Sequence, residues 1–171
     1  WLGKVEAVGE AGLSGQDLLS YRIFVEEQKQ SLEGEKFPSW MMPVNQMGGV
    51  QQEVPRLIGA MPAATKQDYE NIIARLRGVR TLVDQTIALM ERGLAAGYTP
   101  PAVVMRNVPD QAAAQVVGDP SLSPLLDAFR KFPTAIPEAE RAELTKRATD
   151  AYVQVVRPAF ERLPDFLGTG Y

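Results

Sequence analysis

Twenty-one carboxylates and eighteen basic side chains, with no histidine and no cysteine, bound the chemistry open to this chain of 171 residues. Paired carboxyl groups can serve as acid and base in glycoside hydrolysis, but no spacing here selects a pair. Glu138, Glu140 and Glu143 follow Pro137, where a helix N-terminus favours anions, and Glu143 and Arg147 stand at i,i+4. Ser-His-Asp and Cys-His triads are excluded within the chain. A zinc site would need carboxylates alone, an uncommon ligand set, and helical di-metal centres need Glu-x-x-His. Neither G-x-x-x-x-G-K-[ST] nor G-x-G-x-x-G occurs, so no phosphate cradle is supported. Arg75, Arg77 and Arg80 spread around a helix, with Asp84 four positions after Arg80, and read as a solvated face. The residues by themselves supply neither a catalytic group nor a metal ligand set.

What remains is the stretch Phe37-Pro38-Ser39-Trp40-Met41-Met42-Pro43-Val44-Asn45-Gln46-Met47-Gly48-Gly49. Pro38 and Pro43 fix φ and push the residues before them toward extended conformations, and Gly48-Gly49 frees a turn. The segment is irregular yet apolar, so it is expected to pack across helices. Met41, Met42 and Met47 beside Trp40 read chiefly as a plug between helices, with an adaptable groove for a peptide or helix as the alternative. Two roles are open for Asn45 and Gln46. They satisfy loop backbone groups, or they present paired donors and acceptors to a ligand backbone.

The elements that would position this stretch are helices, and the fold class is all-α: an irregular bundle of about five to seven helices, two of them long, as a single helical domain over residues 1–171. Ser14 is a natural N-cap with Asp17 three residues on, and Leu18, Tyr21, Val25, Gln28 and Leu32, widened by Phe24, form a stripe ending near Gly34. Val50 to Ala60 is helix-prone but interrupted by Pro55. The strongest element runs from Thr65, with Asp68 completing a cap, to about Gly93. Its stripe is Tyr69, Ile72, Leu76, Val79, Val83, Ile87, Met90 and Leu94. Pro101 to Val117 is helical with a break at Pro109, and Ser123-Pro124 opens a short helix supported by Asp127 and Lys131. The last long helix begins at Pro137 and carries Leu144, Ala148, Tyr152, Val155, Ala159, Leu163 and Phe166 on one face. Pro158 predicts a bend near Gln154, and Gly168 to Tyr171 reads as the exit. No strict alternation marks a strand.

An apolar content of 45% with a net charge of −3 suits a folded domain and argues against a nucleic-acid partner, which calls for a basic excess. No apolar run reaches the ~20 residues of a transmembrane segment. No signal peptide is visible, and the absence of an initiator Met is expected of an excised or mature piece of a longer protein.

The ordered set Leu13-Ser14-Gly15-Gln16-Asp17, Ser20-Tyr21, Phe37-Pro38, Pro43-Val44-Asn45-Gln46, Asp68-Tyr69, Arg75-Leu76, Gly93-Leu94-Ala95-Ala96-Gly97-Tyr98-Thr99-Pro100-Pro101, Ser123-Pro124-Leu125 and Arg157-Pro158-Ala159-Phe160 resembles the N-terminal part of the bacterial domain-of-unknown-function 885 family. Members of that family look like zinc metallopeptidases of the gluzincin kind. The resemblance implies a helical parent of several hundred residues with an H-E-x-x-H-like motif downstream, whose histidines would bind zinc and whose Glu would activate water. This chain departs from that pattern because it has no His, so no catalytic or metal residue carries over. Its implied role is the helical part that walls a substrate channel. Its implied partners are a C-terminal catalytic portion and a peptide substrate, and zinc is expected in the parent alone. Asn45 and Gln46, on the motif matching the family's loop, and Trp40 beside them are the candidate substrate contacts. A self-sufficient helical interaction module without enzymatic activity is the alternative. The resemblance allows a cytoplasmic or an exported protein.

Overall fold

Ser14 stands at the N-cap of a helix of 20 residues, as its residue type predicts, although its hydroxyl makes no capping hydrogen bond. In the computed structural model, which describes residues 1–169 and 171, that helix is α2 (Gly15–Gly34), preceded by α1 (Leu2–Glu6). The Arg22 guanidinium grips Glu10 with two bonds, at 3.0 and 2.7 Å, and Lys29 reaches Glu6 at 3.3 Å. Leu18, Tyr21, Val25 and Gln28 are half-buried along the expected stripe. Phe24 and Leu32 are exposed. These residues belong to Trp1–Pro38, the first of two units into which the chain divides; the second is Ser39–Tyr171.

The second unit holds α3 (Val50–Ala60), α4 (Lys66–Ala96), α5 (Ala102–Met105), α6 (Val108–Ala113), α7 (Glu138–Ala151) and α8 (Arg157–Thr169), with short 3₁₀ turns at Ser39–Met41, Pro120–Leu122 and Pro124–Phe129. Among the described residues there is no strand beyond an isolated bridge between Asn45 and Gly48. No described helix is long and apolar enough to cross a membrane.

The spine is α4, 31 residues or ~46 Å long. Its start is a complete capping box. Thr65 Oγ1 accepts from the Asp68 N–H at 3.2 Å, and Asp68 Oδ2 accepts from the Thr65 and Ala64 N–H groups at 2.8 and 3.1 Å. Gly97 closes the helix in the left-handed conformation. Tyr69, Ile72, Leu76, Val79, Val83, Ile87 and Met90 are buried as their spacing predicts, while Leu94 is exposed and Gly93 beside it is buried. The main core joins this face to Val50, Val54 and Ile58 of α3, to Leu125, Leu126 and Phe129, and to the inner face of α7 and α8.

One proline acts differently from its sequence reading. Pro55 sits inside a continuous α3. The helix tolerates the missing N–H because Val50, Gln51, Val54 and Ile58 all bury on one face and packing outweighs one lost backbone bond. Pro158 does perturb the last helix, as a π-helical segment at Tyr152–Val156 that joins α7 to α8 without a break. A proline at 158 leaves the Gln154 carbonyl without its α-helical donor, and a wider turn accommodates that loss. Tyr152 at its start and Ala159 and Leu163 beyond it are buried as their spacing predicts. Val156 is buried while the expected Val155 is only half so. Farther along, Gly168 and Thr169 continue α8, and the rest of the expected exit falls on Gly170, outside the described residues.

The charge pairs also rearrange. Arg147 bridges to Glu70 of α4 with both guanidinium nitrogens, at 2.7 and 2.5 Å, instead of joining Glu143. Asp84 takes Arg162 of α8 at 2.5 Å rather than Arg80, and Asp127 pairs with Arg130 instead of Lys131. With Lys66–Glu140 at 3.2 Å, three ion pairs run along the seam between α4 and the last helix. Local spacing predicts neighbours on one helix, but folding brings a partner across a packed seam equally near, and the less exposed pair Arg147–Glu70 is screened less by solvent.

Candidate functional site

Residues Asn45 to Gly48 form a tight turn. The Asn45 N–H donates to the Gly48 carbonyl at 2.9 Å. The Asn45 side-chain oxygen accepts from the Met47 and Gly48 N–H groups at 2.8 and 3.1 Å, an Asx-type turn that suits Asn for its short amide. Gly49 then adopts φ 126°, open to glycine at little cost. A Cβ on Gly49 would lie 2.6 Å from Gln51 Oε1 and 3.0 Å from the Val44 Cα. Conformation and space therefore both require glycine at this position.

Three glutamines that sequence reasoning passed over hold the turn to α3 and α6. The Gln46 carbonyl accepts from Gln52 Nε2 at 2.8 Å and from Gln111 Nε2 at 3.3 Å. Gln111 Oε1 accepts in return from Gln51 and Gln52, at 3.3 and 3.1 Å. Gln51, itself buried, reaches the Asn45 carbonyl at 3.0 Å and the Gly48 carbonyl at 3.3 Å. Glutamine carries no spacing signature, so nothing local in the sequence marks Gln111, 65 positions from Gln46.

The apolar stretch packs less than its composition suggests. Val44 is fully buried, in a small cluster with Met90 and Val108. Phe37 and Met47 are instead 69% and 83% exposed, and Met41 and Met42 are half-buried. The stretch thus packs on α4 and α6 through Val44 and on α4 through Met41, beside Gly93, while Phe37 and Met47 stay out of that packing. Trp40 is 44% exposed, with the Arg92 guanidinium 4.7 Å from its ring centroid, a cation–π contact that occupies one face of the indole.

Beside the turn lies an open groove of about 450 Å³, lined by Ser39, Met42, Asn45, Gln46, Met47, Pro100, Pro101 and Val104. Asn45 and Gln46 thus come together on one wall, while Trp40 is outside the lining. The Asn45 side-chain oxygen is committed to the turn. The Gln46 side-chain amide is exposed and makes no hydrogen bond among the described residues. None of the eight lining residues is ionisable, so the groove can supply shape, apolar contact and neutral hydrogen bonds but no proton transfer.

The other candidate chemistry stays dispersed. No group of three or more Asp or Glu side chains that could hold a metal ion is found among the described residues, and the chain has no His or Cys. The residues present therefore do not fit a zinc site.

A solved structure, that of a candidate lipoprotein from Colwellia psychrerythraea, superposes with a TM-score of 0.72 at 18% identity. The match covers 98% of this chain and 31% of that one, so this chain spans about a third of the other's length. At that identity the likeness is one of fold. No curated protein matches the sequence significantly. The model of a bacterial family of unknown function (DUF885) matches residues 1–171, and the chain belongs to that family.

Proposed function

We propose that this chain is a non-catalytic helical portion of a longer, peptidase-like protein, and that the turn at Asn45 to Gly48 forms part of the wall on which a peptide lies. The observation that carries this reading is the groove. An unengaged Gln46 amide stands beside methionine and proline surfaces, and the turn that presents it is fixed by the side-chain amides of Asn45, Gln51, Gln52 and Gln111. Such a wall matches the cleft-shaping role that the family resemblance implies. In this reading Gln46 contacts the peptide, Asn45 holds the turn that aims it, and Trp40 borders the groove beneath Arg92. Zinc and the residues that cut belong to the part of the parent outside this chain.

The test uses both lengths of protein. The isolated chain is expected to bind no zinc tightly and to cleave no peptide, and the full-length parent to hydrolyse peptides with zinc bound. Peptidase activity in pure 171-residue material would overturn the proposal.

A second reading, a helical interaction module without enzymatic activity, draws on another surface. Val54, Leu57, Ile58, Val79 and Leu82 line an apolar groove of about 250 Å³ between α3 and α4, with Leu57 and Leu82 nearly half exposed. The gene sequence beyond Tyr171 separates the two readings. An H-E-x-x-H helix there supports the first, and a stop codon supports the second.

A further inference from the structure

We propose that the outer face of α2, centred on Leu19 and Ile23 and flanked by Glu26 and Glu27, is the docking surface for a basic amphipathic helix supplied by the part of the longer protein outside these 171 residues. The proposal rests on the reading of this chain as a portion of a longer protein, and it names a surface on which the remainder packs.

Three observations of this hairpin lead there. The first is burial. No side chain of Trp1–Pro38 is buried, and a hairpin without a core has little to offset the entropy lost in ordering it. The second is the pattern of apolar surface. Leu18, Tyr21, Val25 and Gln28 form a half-buried face, and α1 packs on α2 with its own Leu2 and Val5 half-buried. At about 100° per residue, Leu19 and Ile23 fall on the opposite face, where they are 51% and 48% exposed. Gln16, Glu26, Glu27 and Gln30 surround them there. A helix apolar on two faces calls for cover on both. The third is charge. Every basic side chain of Trp1–Pro38 is engaged: Lys4 lies over the Trp1 ring, and Arg22, Lys29 and Lys36 hold Glu10, Glu6 and Glu33. Glu26 accepts from the neutral Gln30 amide at 3.2 Å, and Asp17, Glu27 and Glu35 have no cationic partner among the described residues. The charge left for a partner is therefore negative. It favours Lys and Arg on the occupant, and it sets a second copy against its own carboxylates. The source follows from length. The superposed Colwellia psychrerythraea structure takes in 98% of this chain and only 31% of its own, so the fold that contains α1 and α2 is accompanied there by a far longer stretch of chain.

The test is hydrogen exchange, read by mass spectrometry, on the 171-residue chain and on the full-length parent, with carbodiimide cross-linking of carboxylates to lysines. The α2 amides are expected to exchange at least about tenfold more slowly in the parent than in the chain alone. Glu26 or Glu27 is expected to cross-link to a lysine outside the 171 residues. Leu19→Gln with Ile23→Gln keeps good helix formers at both positions. In the parent this pair is expected to return α2 to the exchange rate of the chain alone while α4 stays protected, and Ile23→Leu to change nothing. Raising salt from about 50 to about 500 mM is expected to speed α2 exchange several-fold in the parent, and Glu26→Gln with Glu27→Gln to remove that dependence. Equal exchange of α2 in the two proteins overturns the inference and leaves the longer-protein reading standing. Protection that survives the Leu19 and Ile23 changes puts the occupant on another surface, and protection indifferent to salt and to the Glu26 and Glu27 changes removes the basic helix; either result overturns the inference. A cross-link between isotopically labelled and unlabelled copies means that a second copy covers the face, which overturns it too. A gene that stops at Tyr171 sinks the longer-protein reading, and the proposed occupant with it.

Discussion

The Gln111 side-chain amide donates to the Gln46 backbone carbonyl at 3.3 Å across 65 positions of sequence. The same carbonyl accepts from Gln52 at 2.8 Å, so α3 and α6 both hold one peptide unit of the turn. The carbonyl faces the protein and the Gln46 side chain is left to the groove. Gln111→Ala removes one of these donors and the acceptor shared by Gln51 and Gln52. The expected cost is about 1–2 kcal/mol in urea unfolding. Faster hydrogen exchange at the Met47 and Gly48 amides should accompany it, and a uniform loss of protection along α4 instead would place the effect elsewhere.

Gly93 and Gly78 lie on the same helix and should respond to alanine with opposite signs. A Cβ at Gly93 would stand 2.6 Å from the Tyr98 carbonyl and 2.9 Å from that of Met41, both backbone atoms with little freedom to yield. Gly93→Ala is expected to destabilise by about 1–3 kcal/mol. Nothing lies within 4 Å of the corresponding point at Gly78. Gly78→Ala is expected to stabilise by up to about 1 kcal/mol through helix propensity. Thermal melts of the two variants check both signs.

Thr65 caps the longest helix through its hydroxyl. Thr65→Ala is expected to cost about 1 kcal/mol and Thr65→Ser far less, measured by denaturant midpoint. Equal losses would show that the methyl, and not the oxygen, matters.

The Arg147 guanidinium beside Glu70 holds that carboxyl below the usual carboxylate range. The pair joins α7 to α4 with side chains 31% and 28% exposed, so solvent screens part of its attraction. Arg147→Met is expected to cost about 1 kcal/mol at neutral pH. Because the folded-state pKa of Glu70 lies below the unfolded one, the contribution is complete above the unfolded value and is lost as pH falls through the depressed one. Wild type and variant should therefore converge in acid. A gap that persists at low pH would assign the loss to packing of the arginine stem.

Some of this was written locally in the chain, and some was not. The start and buried face of α4 follow from Thr65, Asp68 and a stripe at steps of three and four, because a helix cap and a helix face are set by neighbours in sequence. Pro55 misled because its cost is local while the packing that overrides it is not. The ion pairs misled for the same reason: Glu70, Asp84 and Arg147 found partners across a seam that spacing cannot show. At the candidate site, Asn45 was legible as a turn residue and Gln46 as a polar handle. Gln51, Gln52 and Gln111 were not, since an amide reveals its role only when the chain brings a carbonyl to it.

The π-helical turn at Tyr152–Val156 makes chain length, rather than residue choice, the stringent requirement in the last helix. The Tyr152 hydroxyl accepts from the Val117 N–H at 2.7 Å, which fixes the helix on one side of the turn. Phe160 and Leu163 are buried on the other. Each residue turns a helix by about 100°. Deleting one residue between these anchors would regularise the backbone and yet rotate Phe160 and Leu163 away from the core. Conservative changes within the turn should be borne far better than a single deletion there, so this helix tolerates changes in its letters but not in their count.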